Sequence, residues 1–318
     1  MSGTDAETSA RPGRTRSGVL REILRRPGGA YGVAVVLVVV LAAAVSLAWT
    51  PYPLLQQDVA DKWQGPSPEH WLGTDQIGRD TFSWLLAGAR TTVFVATLSA
   101  VIAAIVGIAV GAAGALTPRW VAEPVTVLVD ILIAFPTLLI AMLLAASFGG
   151  SLWVVVVAVG IAGGVAVARV VRPEIRIADR SDFVLAARAA GVVRARIVRR
   201  HLVPNVAPVV IVQLSLIAAA AVLAEAGLSY LGYGAPAGTP SWGRSLAESQ
   251  RFIGVHPSAV LWPGLTITLT VLGLSLLGDA VREAVDPRLR TRLGGPPRSG
   301  GARGTGSGGS QLSVELVS

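Results

Sequence analysis

Ionisable side chains lie inside or near the ends of long apolar stretches of this 318-residue chain, among them Asp130, Arg169, Glu225 and Asp279. Ionisable groups at membrane depth are costly, and they commonly mark substrate or ion pathways. Asp130 lies about two helical turns into its stretch. It is therefore a candidate for a pathway role or for a buried structural hydrogen bond. The other three are close enough to the ends for an interfacial position, and Glu225 is kept as a second pathway candidate.

The histidines and serines do not form a recognisable hydrolytic site. Zinc peptidases need His-Glu-x-x-His on one helix face, whereas His70, His201 and His256 are far apart in the sequence. The segment 243–247 has the form Gly-x-Ser-x-Ala, with alanine where a nucleophile elbow needs glycine. These patterns argue against an intramembrane enzyme.

Nucleotide and metal chemistry also lack their usual residues. A P-loop needs Gly-x-x-x-x-Gly-Lys because the lysine reaches the terminal phosphates, and the only lysine, Lys62, stands between Asp61 and Trp63. Asp75 and Asp80 do not follow a calcium-loop pattern, and the chain has no cysteine for a thiolate site. We expect no metal and no cofactor on this chain. If ATP drives it, the motor is another polypeptide.

The elements that must position these residues are membrane spans. Hydrophobic residues make up 52% of the chain and charged residues 14%, against about 25% charged in soluble domains. About 20 apolar residues cross the hydrocarbon as a helix. Six stretches reach that length: 30–49, 91–116, 122–147, 151–171, 205–231 and 258–281. Because they do not alternate as barrel strands do, we predict an all-α polytopic membrane protein with six transmembrane helices.

The arginines indicate the topology. Residues 1–29 carry six, residues 172–204 eight and residues 282–318 six, whereas residues 50–90 carry five acidic groups against three basic ones. Burying the segment 172–204 would cost over about 20 kcal/mol at roughly 2.5 to 3.5 kcal/mol per arginine. The positive-inside rule therefore predicts cytoplasmic termini, a cytoplasmic segment 172–204, and external segments 50–90 and 232–257. Topology, and not nucleic-acid binding, accounts for the net charge of +8.

Local composition predicts further features. Residues 1–29 and 282–318 have too little apolar surface to fold and are predicted to be disordered tails, and residues 30–49 form a first, uncleaved anchor. In the segment 50–90, apolar residues at helical spacing predict a short interfacial helix before the second span. These residues are Phe82, Leu85, Leu86 and Ala89. Gly107-x-x-x-Gly111, with Gly114 next, allows close helix approach, and Pro136 is predicted to kink the third span.

The segment 172–204 has the pattern of a helix, a turn and a second helix. Small and apolar residues recur at helical spacing at Phe183, Ala186, Ala187 and Ala190. Gly191 would end that helix, because glycine adopts the left-handed conformation without a steric penalty. Val193 and Ile197 mark a second short helix before Pro204 starts the next span. The alanine-lined face favours a docking surface for a partner's backbone, and a solvated loop is the alternative.

At these residues the chain resembles the permeases of binding-protein-dependent ABC importers. Their cytoplasmic loop reads Glu-Ala-Ala, three residues, glycine, nine residues, then a hydrophobic residue, any residue and proline. Ala186, Ala187, Gly191 and Pro204 occupy the matching places, His201 stands where one branch of the family has histidine, and Leu185 replaces the glutamate. We expect His201 to be a helix-end or docking contact.

Three further stretches are similar to the dipeptide, oligopeptide and nickel importers, and specifically to their second, C-type permease. They are 70–80 with 88–90, 225–232 with 239–243, and 263–265 through 277–279 to 286–288. With the segment 172–204 they cover roughly residues 70–290 in the family's order.

The resemblance implies a type I ABC importer permease fold, with a core over residues 91–281 and a coupling helix between spans four and five. It implies a heterodimer with a second homologous permease, one or two cytoplasmic ATPases that bind ATP and Mg²⁺, and an external solute-binding protein at the inner membrane. The expected ATPase-coupling residues are Ala186, Ala187, Arg188, Gly191, His201 and Pro204. Asp130 and Glu225 are expected at the pathway or the permease interface.

The substrate stays open among peptides, nickel complexes and glycosides. From the residues alone, the alternative function is an ion-coupled secondary transporter or a channel.

Overall fold

The computed structural model describes residues 16–285 of the chain. Within that range the regular elements are α-helices, with a short 3₁₀ helix at Val59–Asp61 and a π-helical turn at Val198–Leu202, and no β-strand occurs among the described residues. The helices are α1 (Arg16–Arg25), α2 (Pro27–Ala48), α3 (Thr81–Leu116), α4 (Arg119–Ala134), α5 (Thr137–Phe148), α6 (Leu152–Asp179), α7 (Asp182–Ala189), α8 (Arg194–Ile197), α9 (Val203–Tyr230), α10 (Trp242–Gln250) and α11 (Pro257–Val285). The predicted disorder of residues 1–15 and 286–318 lies outside the described residues.

The structure has the predicted number of membrane crossings. Five helical stretches are long and apolar enough to span a bilayer: α2, α3, α6, the run Arg194–Tyr230 and most of α11. The sixth crossing is made by α4 and α5 together, which meet at an angle of 85°. The prediction of six spans in an all-helical chain is therefore confirmed.

Among the described helices, α3 and α6 share the most extensive contact, and glycines make this contact possible. Gly107 lies against Val167, and Gly111 against Val171, with no room for a Cβ atom at Gly107. The predicted close approach at these glycines is confirmed. A later residue of α3 contacts a later residue of α6 in these two pairs, so the two helices run parallel. The α4–α5 pair must therefore cross the membrane to connect the end of α3 with the start of α6.

The distortion predicted at Pro136 is a complete break between α4 and α5. Pro136 has no N–H to donate into the preceding turn, and its ring disfavours helical backbone at the residue before it. Phe135 accordingly adopts an extended conformation, with φ −86° and ψ 131°. Two short helices, of 16 and 12 residues, share one crossing.

Part of the tail predicted to be disordered is helical. α1 lies within residues 1–29, and its Ile23 is buried against Ala280 and Ala284 of α11. Arg26, between α1 and α2, forms an ion pair with Glu283 of α11. The prediction was wrong for this part because the stabilising apolar surface comes from the other end of the chain.

The separate interfacial helix predicted before the second span does not exist, because those residues are the first turns of α3. Asp80 caps this helix by accepting a hydrogen bond from the Ser83 amide at 2.7 Å, and α3 then continues for 36 residues. Leu85 is buried with Trp242 of α10, so the apolar face meets protein. Arg90 does not interrupt the helix, since its guanidinium donates to the Ser46 hydroxyl at 2.6 Å.

Candidate functional site

The predicted turn at Gly191 is confirmed, and it closes α7 with a Schellman motif. Gly191 has φ +72°, in the left-handed region. Its amide donates to the Arg188 carbonyl at 2.9 Å, and the Val192 amide donates to the Ala187 carbonyl at 3.1 Å. This pair of hydrogen bonds satisfies helix-terminal carbonyls and requires a left-handed residue at the turn. Gly191 therefore fixes the direction in which the chain leaves α7.

α7 has one anchored face and one open face. Val184 is fully buried in a cluster with Ile197 and Leu202, and Ala187 packs against the same cluster. Phe183 and Leu185 are 47% and 50% exposed. Phe183, one of the four residues whose helical spacing predicted α7, thus lies on the exposed face. Val184, which is not one of those four, holds α7 on the bundle. Ala186 and Ala190 are also exposed, so the small side chains face outward, as a docking surface requires.

We define the coupling loop as residues 172–204. Its second half differs from the prediction. α8 is not a separate helix, since it continues through a π-helical turn, Val198–Leu202, into α9. The Val203 amide bonds the Val198 carbonyl across this wider turn. Pro204 has no N–H to donate and lies at the start of α9, where the wider turn accommodates it. His201 is half-buried in the turn, with its ring 6.1 Å from that of Phe183.

Three arginines of the coupling loop bind the end of α3. Arg172 and Arg176 donate to the Gly114 carbonyl at 3.2 and 3.1 Å, and Arg194 donates to the Leu116 carbonyl. The last carbonyls of a helix have no partner in the helix itself and carry partial negative charge. The arginine cluster, Arg172, Arg176 and Arg194, therefore ties α6, α8 and α3 together at one end of the bundle.

The remaining predicted coupling residues lie on or beside α7. Arg188 forms an ion pair with Asp179 at the end of α6, which links the helix to the preceding span. Leu185, at the position of the family glutamate, has an exposed apolar side chain and can form no ion pair. The shape of this element therefore rests on Val184, Gly191 and the arginine cluster.

Asp130 is half of an ion pair. Its carboxylate lies 3.0 Å from the Arg169 guanidinium of α6, and the two side chains are 52% and 59% exposed in the single chain. The pair borders a cavity of about 280 Å³ that Arg172 and Thr126 also line. Asp130 is thus paired at an open surface between α4 and α6, instead of forming a buried hydrogen bond.

Glu225 lies between α9 and α10 and forms buried hydrogen bonds, not an ion pair. Its side chain is 1% exposed, and its Oε1 atom accepts hydrogen bonds from Ser229 at 2.7 Å and Ser241 at 2.8 Å. Ser241 caps α10, so Glu225 joins the end of α9 to the start of α10. Along α9 it is about 32 Å from Pro204. The structure therefore separates Glu225 from the coupling loop.

Side-chain contacts hold residues 50–80 together and join them to α10 through Arg79. His70 lies 3.0 Å from Asp80 at the start of α3. Arg79 donates to Asp75 at 2.6 Å and to Glu248 of α10 at 2.9 Å. These contacts give the segment a defined surface at the end of the bundle opposite the coupling loop.

The arginine cluster was not predicted as a site, although its residues were noted for their charge. One signal was available: α3 ends at Thr117-Pro118, without the glycine turn whose amides commonly bind the last carbonyls of a helix. Carbonyls left unpaired there need donors from elsewhere in the fold. The sequence does not show which of the eight arginines supply them.

Comparison with known proteins places these features in a family. Residues 103–291 match the model of the family described as "Binding-protein-dependent transport system inner membrane component". The chain is 35% identical over 260 residues to the dipeptide transport system permease protein DppC of Alkalihalophilus pseudofirmus, covering 82% of this chain and 86% of that protein. It is 30% identical over 259 residues to the oligopeptide transport system permease protein OppC of Bacillus subtilis, covering 81% and 85%.

A solved structure supports the fold. The inward-facing MetNI methionine ABC transporter superposes with a TM-score of 0.51 at 18% identity, covering 64% of this chain and 96% of the matched chain. At this identity the likeness shows the fold alone. Together with the sequence relatives, it establishes that the chain belongs to the family of inner-membrane components of binding-protein-dependent transport systems, with the fold of an ABC importer permease.

Proposed function

We propose that this chain is the translocation subunit of an ATP-driven importer for di- or oligopeptides or a related solute. Relatives named as dipeptide and oligopeptide permeases cover more than four fifths of the chain, which supports the substrate class. The coupling loop then lies in the cytoplasm with both termini, and residues 50–80 face the exterior, as the positive-inside rule favours. The membrane is the cell's inner membrane.

The structure of the coupling loop is the main observation that supports this function. α7 is fixed by Val184 and by the Gly191 turn, yet it presents Phe183 and Leu185 to solvent. Exposed apolar side chains on a rigid element are typical of a docking surface. The partner proposed for it is a cytoplasmic ATPase subunit, of which the complex has one or two kinds. ATP and Mg²⁺ bind there, and this chain carries no catalytic site.

The proposed cycle is mechanical. ATP binding closes the ATPases, α7 moves with them, and the arginine cluster carries that movement into α3 and α6. A second homologous permease completes the pathway, and an external solute-binding protein delivers the solute. Neither Asp130 nor Glu225 needs to bind an ion for this cycle.

Co-expression with the products of the neighbouring genes tests the function. A tagged form of this chain is expected to recover an ATPase and a second permease, and proteoliposomes containing the complex are expected to take up labelled peptide with ATP and the binding protein. Uptake of nickel complexes or glycosides, measured in parallel, identifies the substrate class. Recovery of this chain without any ATPase would overturn the proposal.

A further inference from the structure

The end of the bundle opposite the coupling loop contains a polar cavity of about 380 Å³. Gln76 of the segment 50–80 and residues 229–232 at the end of α9 line it on one side. Arg244, Glu248 and Arg251 line it on the other. These three follow the spacing i, i+4 and i+7, so they share one face at α10. Three separate parts of the chain thus enclose a space with charged walls.

Glu248 is the acidic residue of this cavity, and both of its carboxylate oxygens have partners. Its Oε1 atom accepts a hydrogen bond from Arg244 Nε at 3.0 Å, and its Oε2 atom accepts one from Arg79 Nη2 at 2.9 Å. Two guanidinium groups outweigh the single negative charge, so a further cation gains little there. The cavity therefore does not favour an ammonium group.

The arginines, in contrast, have donors to spare. Arg244 uses Nε for Glu248 and Nη1 for the Ala235 carbonyl at 3.2 Å, and its Nη2 group has no partner among residues 16–285. Arg251 is exposed, and it pairs with no acidic side chain in the described part of the chain. A guanidinium presents N–H groups in a planar fork that matches a carboxylate. The cavity thus has the chemistry of a carboxylate-binding site.

The proposed importer brings a carboxylate to this end of the bundle. Residues 50–80 face the exterior in that arrangement, and the solute arrives from the same side. Side chains differ among peptides, but each unmodified peptide ends in an α-carboxylate. A site for that group binds peptides of different sequence.

We propose that Arg244 and Arg251 bind the C-terminal carboxylate of the incoming peptide in this cavity. This inference rests on the proposed function and deepens it, because it names the part of the substrate that the chain recognises. Arg244, held by Glu248 and Ala235, supplies a fixed donor. Arg251 supplies the charge that has no partner until the peptide binds.

Uptake of three related peptides tests the assignment. Proteoliposomes with the complete complex and its binding protein are given labelled trialanine, N-acetyl trialanine or trialanine amide. Arg251→Gln is expected to lower uptake of the first two at least about fivefold, because both have the free carboxylate, and to leave uptake of the amide unchanged. Arg251→Lys keeps the charge and should restore part of the loss.

Lys62→Gln is the matched control. It removes one positive charge from an exposed position of the segment 50–80 that does not line the cavity, and uptake of all three peptides should stay unchanged. Equal losses for trialanine and its amide in Arg251→Gln would indicate a contact with the binding protein and would overturn the proposal. Unchanged uptake of trialanine in this variant would overturn it as well.

A reactivity measurement on the same complex needs neither uptake nor the binding protein. The chain has no cysteine, so Ala247→Cys places a single thiol on the cavity wall. An anionic methanethiosulfonate is expected to modify it at least about threefold faster than a cationic one, because the cavity has surplus positive charge. Millimolar trialanine should slow the reaction and trialanine amide should not, and Arg251→Gln should remove both effects.

This second measurement separates the inference from the function on which it rests. If the wild-type complex takes up none of the peptides, the proposed function fails, and thiol reactivity alone decides whether the cavity binds a carboxylate. It also decides the case in which the binding protein does not deliver the amide. Equal rates with the two reagents, or equal protection by the two peptides, would remove the carboxylate site and leave the importer.

Discussion

Arg194 donates to the carbonyl of Leu116, a residue 78 positions earlier in the chain. This contact joins the start of α8 to the end of α3, and Arg172 and Arg176 reinforce it from α6. The coupling loop therefore has fixed attachments on both sides of Gly191: Val184 and Arg188 before it, Arg194 after it. The coupling loop is thus joined to α3, α6 and α8 through side chains as well as through its backbone.

Replacing Gly191 with valine is expected to uncouple hydrolysis from uptake. A left-handed conformation costs a residue with a Cβ atom about 1 to 2 kcal/mol, and a β-branched residue tolerates it worst. α7 should then end differently and present a displaced docking face. Uptake is expected to fall at least about tenfold, with less ATPase recovered on purification. Gly191→Asn, which tolerates this conformation, should retain most activity, and so should Gly254→Val at an exposed turn.

Arg194→Ala is expected to weaken coupling while leaving the complex assembled. The substitution removes a charge-assisted hydrogen bond worth about 1 kcal/mol at an exposed site, and it leaves the end of α3 held only by Arg172 and Arg176 of α6. The stimulation of ATPase activity by the loaded binding protein should decrease by several fold. Arg199→Ala removes the same charge from an exposed position of the same loop, so equal losses in the two variants would contradict a specific role for Arg194.

Asp130 and Arg169 are expected to depend on each other. Asp130→Ala leaves the Arg169 charge without its partner at membrane depth, which is costly. Uptake should fall strongly in Asp130→Ala and in Arg169→Ala. The exchange Asp130→Arg with Arg169→Asp should recover a substantial part of it. A double variant as inactive as the single ones would show that the position of each charge matters more than the pairing.

Glu225 is expected to stabilise the connection between α9 and α10 through its acceptor oxygen. Glu225→Gln keeps an oxygen for the Ser229 and Ser241 hydroxyls, whereas Glu225→Ala leaves two buried O–H donors without an acceptor, at about 1 to 3 kcal/mol each, although both hydroxyl oxygens still accept backbone hydrogen bonds. Thermal unfolding of the purified complex should therefore shift much less for glutamine than for alanine. Equal shifts would indicate that the negative charge itself is needed.

Gly107→Ala is expected to destabilise the α3–α6 contact. A Cβ atom at this position would overlap Val167, and overpacking typically costs about 1 to 3 kcal/mol. Gly227→Ala is the matched control, since no atom lies within 4 Å of a Cβ atom there, and alanine favours helix by about 1 kcal/mol. Thermal unfolding should separate the two variants in opposite directions.

Local chemistry made some of these features predictable. Gly191 and Pro136 act on their own backbone, so their positions predicted a helix end and a distorted span. The apolar lengths predicted six crossings for the same reason. The family resemblance, through Ala186, Ala187 and Pro204, then gave the fold and the kind of partner.

Features that depend on distant partners were missed. α1 folds because Ile23 meets Ala280 and Ala284, and the first turns of α3 are buried because Trp242 lies beside Leu85. The arginine cluster forms because α3 ends with unpaired carbonyls next to α6 and α8. The α8–α9 junction was also missed, since a π-helical turn at Pro204 leaves no separate signal in the residue pattern.

α3 is one continuous helix from Thr81 to Leu116. Its 36 residues extend about 54 Å, more than the bilayer thickness of about 40 to 45 Å with headgroups. The arginine cluster binds one end of α3. At the other end, Asp80 caps the helix and contacts His70 of the segment 50–80. A tilt of about 5° applied at Leu116 would swing Thr81 by roughly 5 Å at this helix length. α3 thus connects the folded segment 50–80 to the coupling loop as one continuous helix.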